Sequence, residues 1–217
     1  MKTDIRGRSM IEMIGVLMIV GLIGSGSFLA YGKAMDRYRI NTMIDQVTQI
    51  VSGTRNAFNL HDSRGYKSLD FQVKALSDKN YNNRKISDKL KLFPESIVRN
   101  NYKNVYDGEI QYFVDGAYKN DDGKAFVLEF YGIPTDACIE LVTKNWQTGL
   151  GLIAMKVKGS SNDGSYSIQN GTFKGKCTTK YKQGIGLFCA SDFPITLDKA
   201  VAVCDYVKNN QISWKFF

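Results

Sequence analysis

Residues 13–32 form a run of twenty amino acids without a charge, and a carboxylate, Glu12, stands one position outside it. A helix rises about 1.5 Å per residue, so this run spans roughly 30 Å, the hydrocarbon thickness of a bilayer. An acid at the edge of such a run costs about 2 kcal/mol or more in an apolar medium, so Glu12 calls for a partner. A chain beginning this way folds around that helix or discards it.

Discarding it is the secretory-signal reading. Lys2 and Arg6 supply a basic start, residues 10–23 the apolar core, and Ser25-Gly26-Ser27 the small residues for cleavage. Glu12 inside the core argues against it, as does helical patterning beyond the supposed cut. A plain single-span anchor would have no use for the acid. A buried core helix of a soluble domain would be shorter.

Beyond Gly32 the pattern changes character without breaking. Met35, Tyr38, Met43, Val47, Ile50, Thr54 and Phe58 recur every three or four residues, with Ile44 and Val51 widening the stripe. Asp36, Arg37, Arg39, Asp45, Gln46, Gln49 and Arg55 occupy the other face, making an amphipathic helix that needs a surface to lie on. No proline precedes Leu92. The spacing therefore predicts one helix over about 8–60, a length of about 75 Å.

Gly7, Ser9, Met10, Ile11 and Glu12, followed by the apolar run, resemble the type IV prepilin signature. That family has a short basic leader ending in glycine, a hydrophobic residue, a hydroxyl residue, two aliphatics, glutamate and an unbroken apolar helix. The resemblance implies cleavage between Gly7 and Arg8 by a membrane prepilin peptidase and N-methylation of Arg8. It also implies that Glu12 neutralises the terminal ammonium of a neighbouring subunit as the helices bundle. Arg8 departs from the family, which usually carries Phe, Met or Leu there.

The expected organisation is then a leader at 1–7, a transmembrane and filament-core helix at 8–32, its amphipathic continuation at 33–60, and a globular α+β head at 61–217. Residues 59–66, with His61, read as the helix stop. Short helices are expected at 69–76 and 86–92. Strands at 109–118 and 125–131 flank the turn Lys119-Asn120-Asp121-Asp122-Gly123-Lys124, a hairpin signal. Pro134-Thr135-Asp136 opens a helix capped by Thr135 or Asp136, with Cys138 on its inner face. This cysteine-bearing string resembles the corresponding helix of type IVb pilin heads. Further strands are expected at 150–158 and 165–174, a helix at 196–207 with Cys204 on one face, and an edge strand at 212–217. The fold class is thus α+β and pilin-like: a long N-terminal helix on an antiparallel sheet, with short helices.

Four cysteines behind an export-type start read as two disulfides. No C-x-x-C spacing is present and His61 is the sole imidazole, so no zinc site is expected. Of three connectivities, pairing like with like favours Cys138–Cys204, both on helices, and Cys177–Cys189, both near strand ends. The longer loop would staple the C-terminal region to the sheet, as the family's C-terminal disulfide does.

Little points to an enzyme. There is no phosphate-binding loop, nucleophile elbow or histidine pair, and Gly149-Leu150-Gly151 lacks the strand and helix of a dinucleotide fingerprint. No cofactor or metal is expected. The charge of +8 is uneven: residues 74–103 carry eight basic against three acidic side chains. Lys74, Lys79, Arg84, Lys85, Lys89 and Lys91, interleaved with Tyr81, Phe93 and Tyr102, are candidates for a polyanion surface, against the plainer reading of a solvated face.

The leading expectation is a major or minor subunit of a type IV pilus. Its partners would be copies of itself and other pilins, the prepilin peptidase and the assembly machinery. It would cross the inner membrane once, N-terminus inside, before assembly and lie on the cell surface afterwards. A pseudopilin of a type II-like secretion system and a monomeric membrane-anchored binding module are the alternatives.

Overall fold

The computed structural model describes residues 10–58, 65–117, 123–146, 149–159, 166–168, 177–205 and 209–217, without the side chains of 24–29. Two compact units divide the chain, Met1–Arg39 and Ile40–Phe217. One helix, α1 (Met10–Phe58), contributes to both, close to the span the sequence predicts. Glu12 in its first turn and Arg55 in its last oppose the helix dipole favourably.

In the first unit every described side chain of 10–23 is exposed. Among the described residues no helix is long and apolar enough to cross a membrane, so the membrane-spanning character expected of 8–32 is not shown. The leader lies outside the described residues.

In the second unit α1 buries Ile40, Met43, Val47, Ile50, Val51 and Thr54. The stripe starts at Ile40 rather than farther upstream, because Tyr38 is 65% exposed. Gln46, expected on the wet face, is buried and donates to Ser96 Oγ at 3.2 Å.

That stripe packs on one face of a six-stranded antiparallel sheet. Its strands are β1 (Ile110–Asp115), β2 (Ala125–Ile133), β3 (Leu152–Lys158), β4 (Lys180–Lys182), β5 (Ile185–Cys189) and β6 (Asn210–Phe216), in the order β1-β2-β6-β3-β5-β4. The C-terminal strand is therefore central rather than an edge. Ile212, Trp214 and Phe216 face the α1 side with Leu128, Phe130 and Met155, while Phe113, Val127, Ile153, Ile168 and Leu187 form a second apolar cluster. A strand buried on both faces belongs in a sheet's interior. The opposite edge, β4, is three exposed residues with two lysines, which discourages further pairing.

Three shorter helices pack around the sheet: α2 (Asn82–Leu90), α3 (Glu95–Arg99) and α4 (Thr135–Thr143). A fifth, α5 (Leu197–Val203), ends earlier than expected, with Cys204 as its cap residue. Pro134 occupies the cap position of α4; the Thr135 hydroxyl instead donates to the Asp205 carbonyl at 2.5 Å. No helix forms at 69–76. That segment runs beside β1, with a bridge between Ala75 and Gln111 and with Leu76 N–H donating to the Ile110 carbonyl at 2.8 Å. The buried Asn83 amide fixes it, donating to the Asp70 carbonyl at 3.0 Å and to the Tyr112 carbonyl at 2.9 Å. A side-chain amide thus completes backbone pairing that would otherwise be missing. The hairpin turn at 118–122 and most of the expected strand at 165–174 lie outside the described residues; 166–168 is irregular.

Candidate functional site

Of the sequence-predicted processing residues, Gly7 and Arg8 lie outside the described residues, as does His61. Glu12 is exposed in the first turn of α1, flanked by Met10 and Ile11, which are 83% and 80% exposed. Met13, Ile14, Val16 and Leu17 continue the exposed apolar surface. Among the described residues Glu12 has no ion-pair partner. Residues 10–23 thus present a continuous exposed apolar surface carrying one carboxylate.

The four cysteines form the two disulfides that pairing like with like favours. Cys138 joins Cys204 across 66 residues with Cα atoms 5.9 Å apart, and Cys177 joins Cys189 across 12 residues at 5.7 Å. The first ties α4 to the end of α5, just ahead of β6. With Thr135 on the Asp205 carbonyl and the Asn210 amide on the Ile133 carbonyl at 3.2 Å, it anchors the entry to the central strand.

The basic segment divides into two kinds of residue. Lys74, Lys79, Lys85, Lys89 and Lys91 are exposed. Arg84 is spent internally: it donates to the carbonyls of Leu76 and Ser77 at 3.1 and 3.0 Å and lies 4.6 Å over the Tyr102 ring. Tyr81, Phe93 and Tyr102 are core residues, 2%, 5% and 1% exposed, so these three rings form no exposed platform for the lysines. Burial pushes the Tyr102 phenol well above its ordinary pKa, and its hydrogen bond to Asp88 adds to the shift.

Two features carried no sequence signal. Asp107 and Glu109 line an open groove of about 630 Å³ with Tyr106 and Tyr131. Its wall is a loop held by Asn104, whose amide donates to the Tyr131 carbonyl at 2.7 Å and accepts from the N–H groups of Tyr106 and Gly108. The other is Lys215, fully buried and 2.9 Å from Asp115. Burial lowers its pKa, and the carboxylate pulls the other way. Alternation in 212–216 puts Lys215 opposite the aromatics, a position that reads as solvent-facing. Tertiary structure buries it: its Nζ donates to the Ile168 carbonyl at 3.0 Å on the side of the second apolar cluster.

A family model described as PilS N terminal matches residues 37–215. The chain belongs to that family. Among solved structures it is similar to TcpA, a type IV pilin from the Vibrio cholerae El Tor biotype. The match has a TM-score of 0.50 and 12% identity, over 83% of this chain and 99% of that one. At that identity the likeness is one of fold. No curated protein matches. The long helix, the antiparallel sheet and the two disulfides are those of a type IV pilin-like protein.

Proposed function

We propose that this chain is a structural subunit of a type IV pilus, made as a prepilin, cut between Gly7 and Arg8 by a prepilin peptidase and methylated on Arg8. Before assembly the apolar run 13–32 sits in the inner membrane. Afterwards the same surface lies in the filament interior, with the head on the cell surface. The division at 7, 32 and 60 follows these roles: leader, filament-core helix, amphipathic spine and head. Copies of this chain and other pilins are the partners, brought together by the assembly machinery.

The single observation that carries this reading is the exposed apolar surface of 10–23 with Glu12 as its one charge. In an apolar filament core an unpaired carboxylate is costly, while one beside a neighbour's terminal ammonium is compensated. A subunit entering out of step leaves both charges bare, so the pair sets the stagger. The head performs no chemistry in this reading, and Lys74, Lys79, Lys85, Lys89 and Lys91 form a solvated outer face.

Replacing Glu12 tests the proposal. Glu12→Ala should leave the protein in the membrane fraction and remove it from sheared filaments seen by electron microscopy. Filaments of normal number and length built from the variant would end the proposed role of the carboxylate.

A further inference from the structure

Lys215 and Asp115 take no part in assembly as proposed, yet with Glu129 they are the most enclosed charged groups among the described residues of the head. Lys215 Nζ donates to Asp115 Oδ2 at 2.9 Å and to the Ile168 carbonyl at 3.0 Å. The two side chains are 0% and 2% exposed. On that side of the sheet lie Phe113, Val127, Ile153 and Ile168 of the second apolar cluster, and the Gly116 N–H donates to Asp115 Oδ1 at 2.8 Å. They reach each other from strands that are not neighbours, since β2 lies between β1 and β6 and Val127 is directly opposite Lys215.

An ion pair so enclosed gains little, because desolvating both charges offsets most of their attraction. Burial weakens the hold of Lys215 on its proton, with Asp115 opposing. The donor and acceptor atoms are already in contact. Holding the two groups side by side removes the entropic cost of bringing them together.

We propose that Lys215 and Asp115 condense to an intramolecular isopeptide bond joining β6 to the edge strand β1. The ammonium first passes one proton to the carboxylate, leaving an amine and a carboxylic acid. The Nζ lone pair attacks Cγ, a second proton moves from nitrogen to the departing oxygen, and the Cγ–O bond breaks to release one water. The third hydrogen remains on the amide nitrogen and keeps its bond to the Ile168 carbonyl. No oxidant or reductant is needed, and the net charge is unchanged because one cation and one anion disappear together. In bulk water, mass action would favour hydrolysis. Here the apolar surround lets the water leave and holds the amide apart from solvent. The product closes a 100-residue loop that neither disulfide closes.

Mass spectrometry of the full-length protein, reduced and alkylated, decides the matter. The wild type should be lighter than its sequence by one water, about 18 Da. A denaturing tryptic digest should yield a branched peptide joining Asp115 to Lys215, with no cleavage after Lys215. Asp115→Ala should run at the full mass of its own sequence and be cut there. Because Gly116 follows Asp115, a succinimide at that pair would lose the same water. A light chain whose digest contains free Lys215 therefore overturns the proposal, as does a wild type at full mass. If Asp115→Ala does not fold, the wild-type digest decides alone.

Discussion

The Tyr112 hydroxyl on β1 donates to Thr54 Oγ1 on α1 at 3.2 Å, and both residues are fully buried. It is a polar bond in the apolar seam between the spine helix and the sheet. Burial pushes the Tyr112 phenol well above its ordinary pKa, with the bond to Thr54 acting against that shift. Thr54→Val leaves a buried phenol unpaired and should cost about 1–3 kcal/mol. Tyr112→Phe should cost less, because a helical threonine can turn its hydroxyl to a carbonyl one turn back. Urea unfolding of both variants checks the order, and a larger loss for Tyr112→Phe would contradict it.

The two disulfides close loops of very different length, 66 and 12 residues. Chain entropy assigns about 4 kcal/mol to the first and about 3 kcal/mol to the second. The paired change Cys138→Ser with Cys204→Ser should therefore lower the denaturant midpoint more than Cys177→Ser with Cys189→Ser. The difference should be enlarged by loosening of the β6 entry. Equal midpoints would mean that the entry to β6 is held by its hydrogen bonds.

Gly108 is a packing requirement. A Cβ built there would lie 1.7 Å from the Tyr131 carbonyl oxygen and 2.8 Å from Asn104 Nδ2. Backbone cannot yield at such a distance, so Gly108→Ala should displace the 104–109 loop and cost about 3 kcal/mol or more. Gly149, with nothing within 4 Å of a built Cβ, is left-handed at φ +79°. Gly149→Ala should therefore cost about 1 kcal/mol from backbone strain alone. Thermal melts of the two variants separate these causes.

In the basic segment, Arg84 and its neighbour Lys85 should behave differently. Removing the Arg84 guanidinium strips the Leu76 and Ser77 carbonyls of a donor and should cost about 1–3 kcal/mol. Lys85→Ala, at an exposed position, should change stability by about 0.5 kcal/mol or less. In salt-dependent DNA filter binding the wild type should show only weak retention that added salt abolishes. Retention that persists at high salt would mark a specific site.

Much of this fold was legible because its strongest signals are local and periodic. The absence of proline and the three-to-four spacing from Met43 to Thr54 predicted α1 closely, and helix against strand placement predicted both disulfides. Tyr38 differs from expectation because the stripe fixes the helix phase only where the sheet touches it, and Gln46 because it meets Ser96 of α3 at the flank of the stripe. Residues 212–217 read as an edge because nothing local reveals that β6 inserts between β2 and β3. The 69–76 segment carries weak local signals and was expected to be a short helix, yet the Asn83 amide, thirteen residues beyond Asp70, decides its conformation. At the candidate site, Glu12 stands out in the sequence as the one charge beside the apolar run. The burial of Lys215 shows only in three dimensions.

The most direct test of the subunit assignment is the N-terminal peptide of this chain recovered from filaments sheared off intact cells. The expected result is a first residue of Arg8 carrying one methyl group on its α-amino nitrogen. A chain that begins near Phe28, or one present in membranes and medium but absent from filaments, would contradict the account.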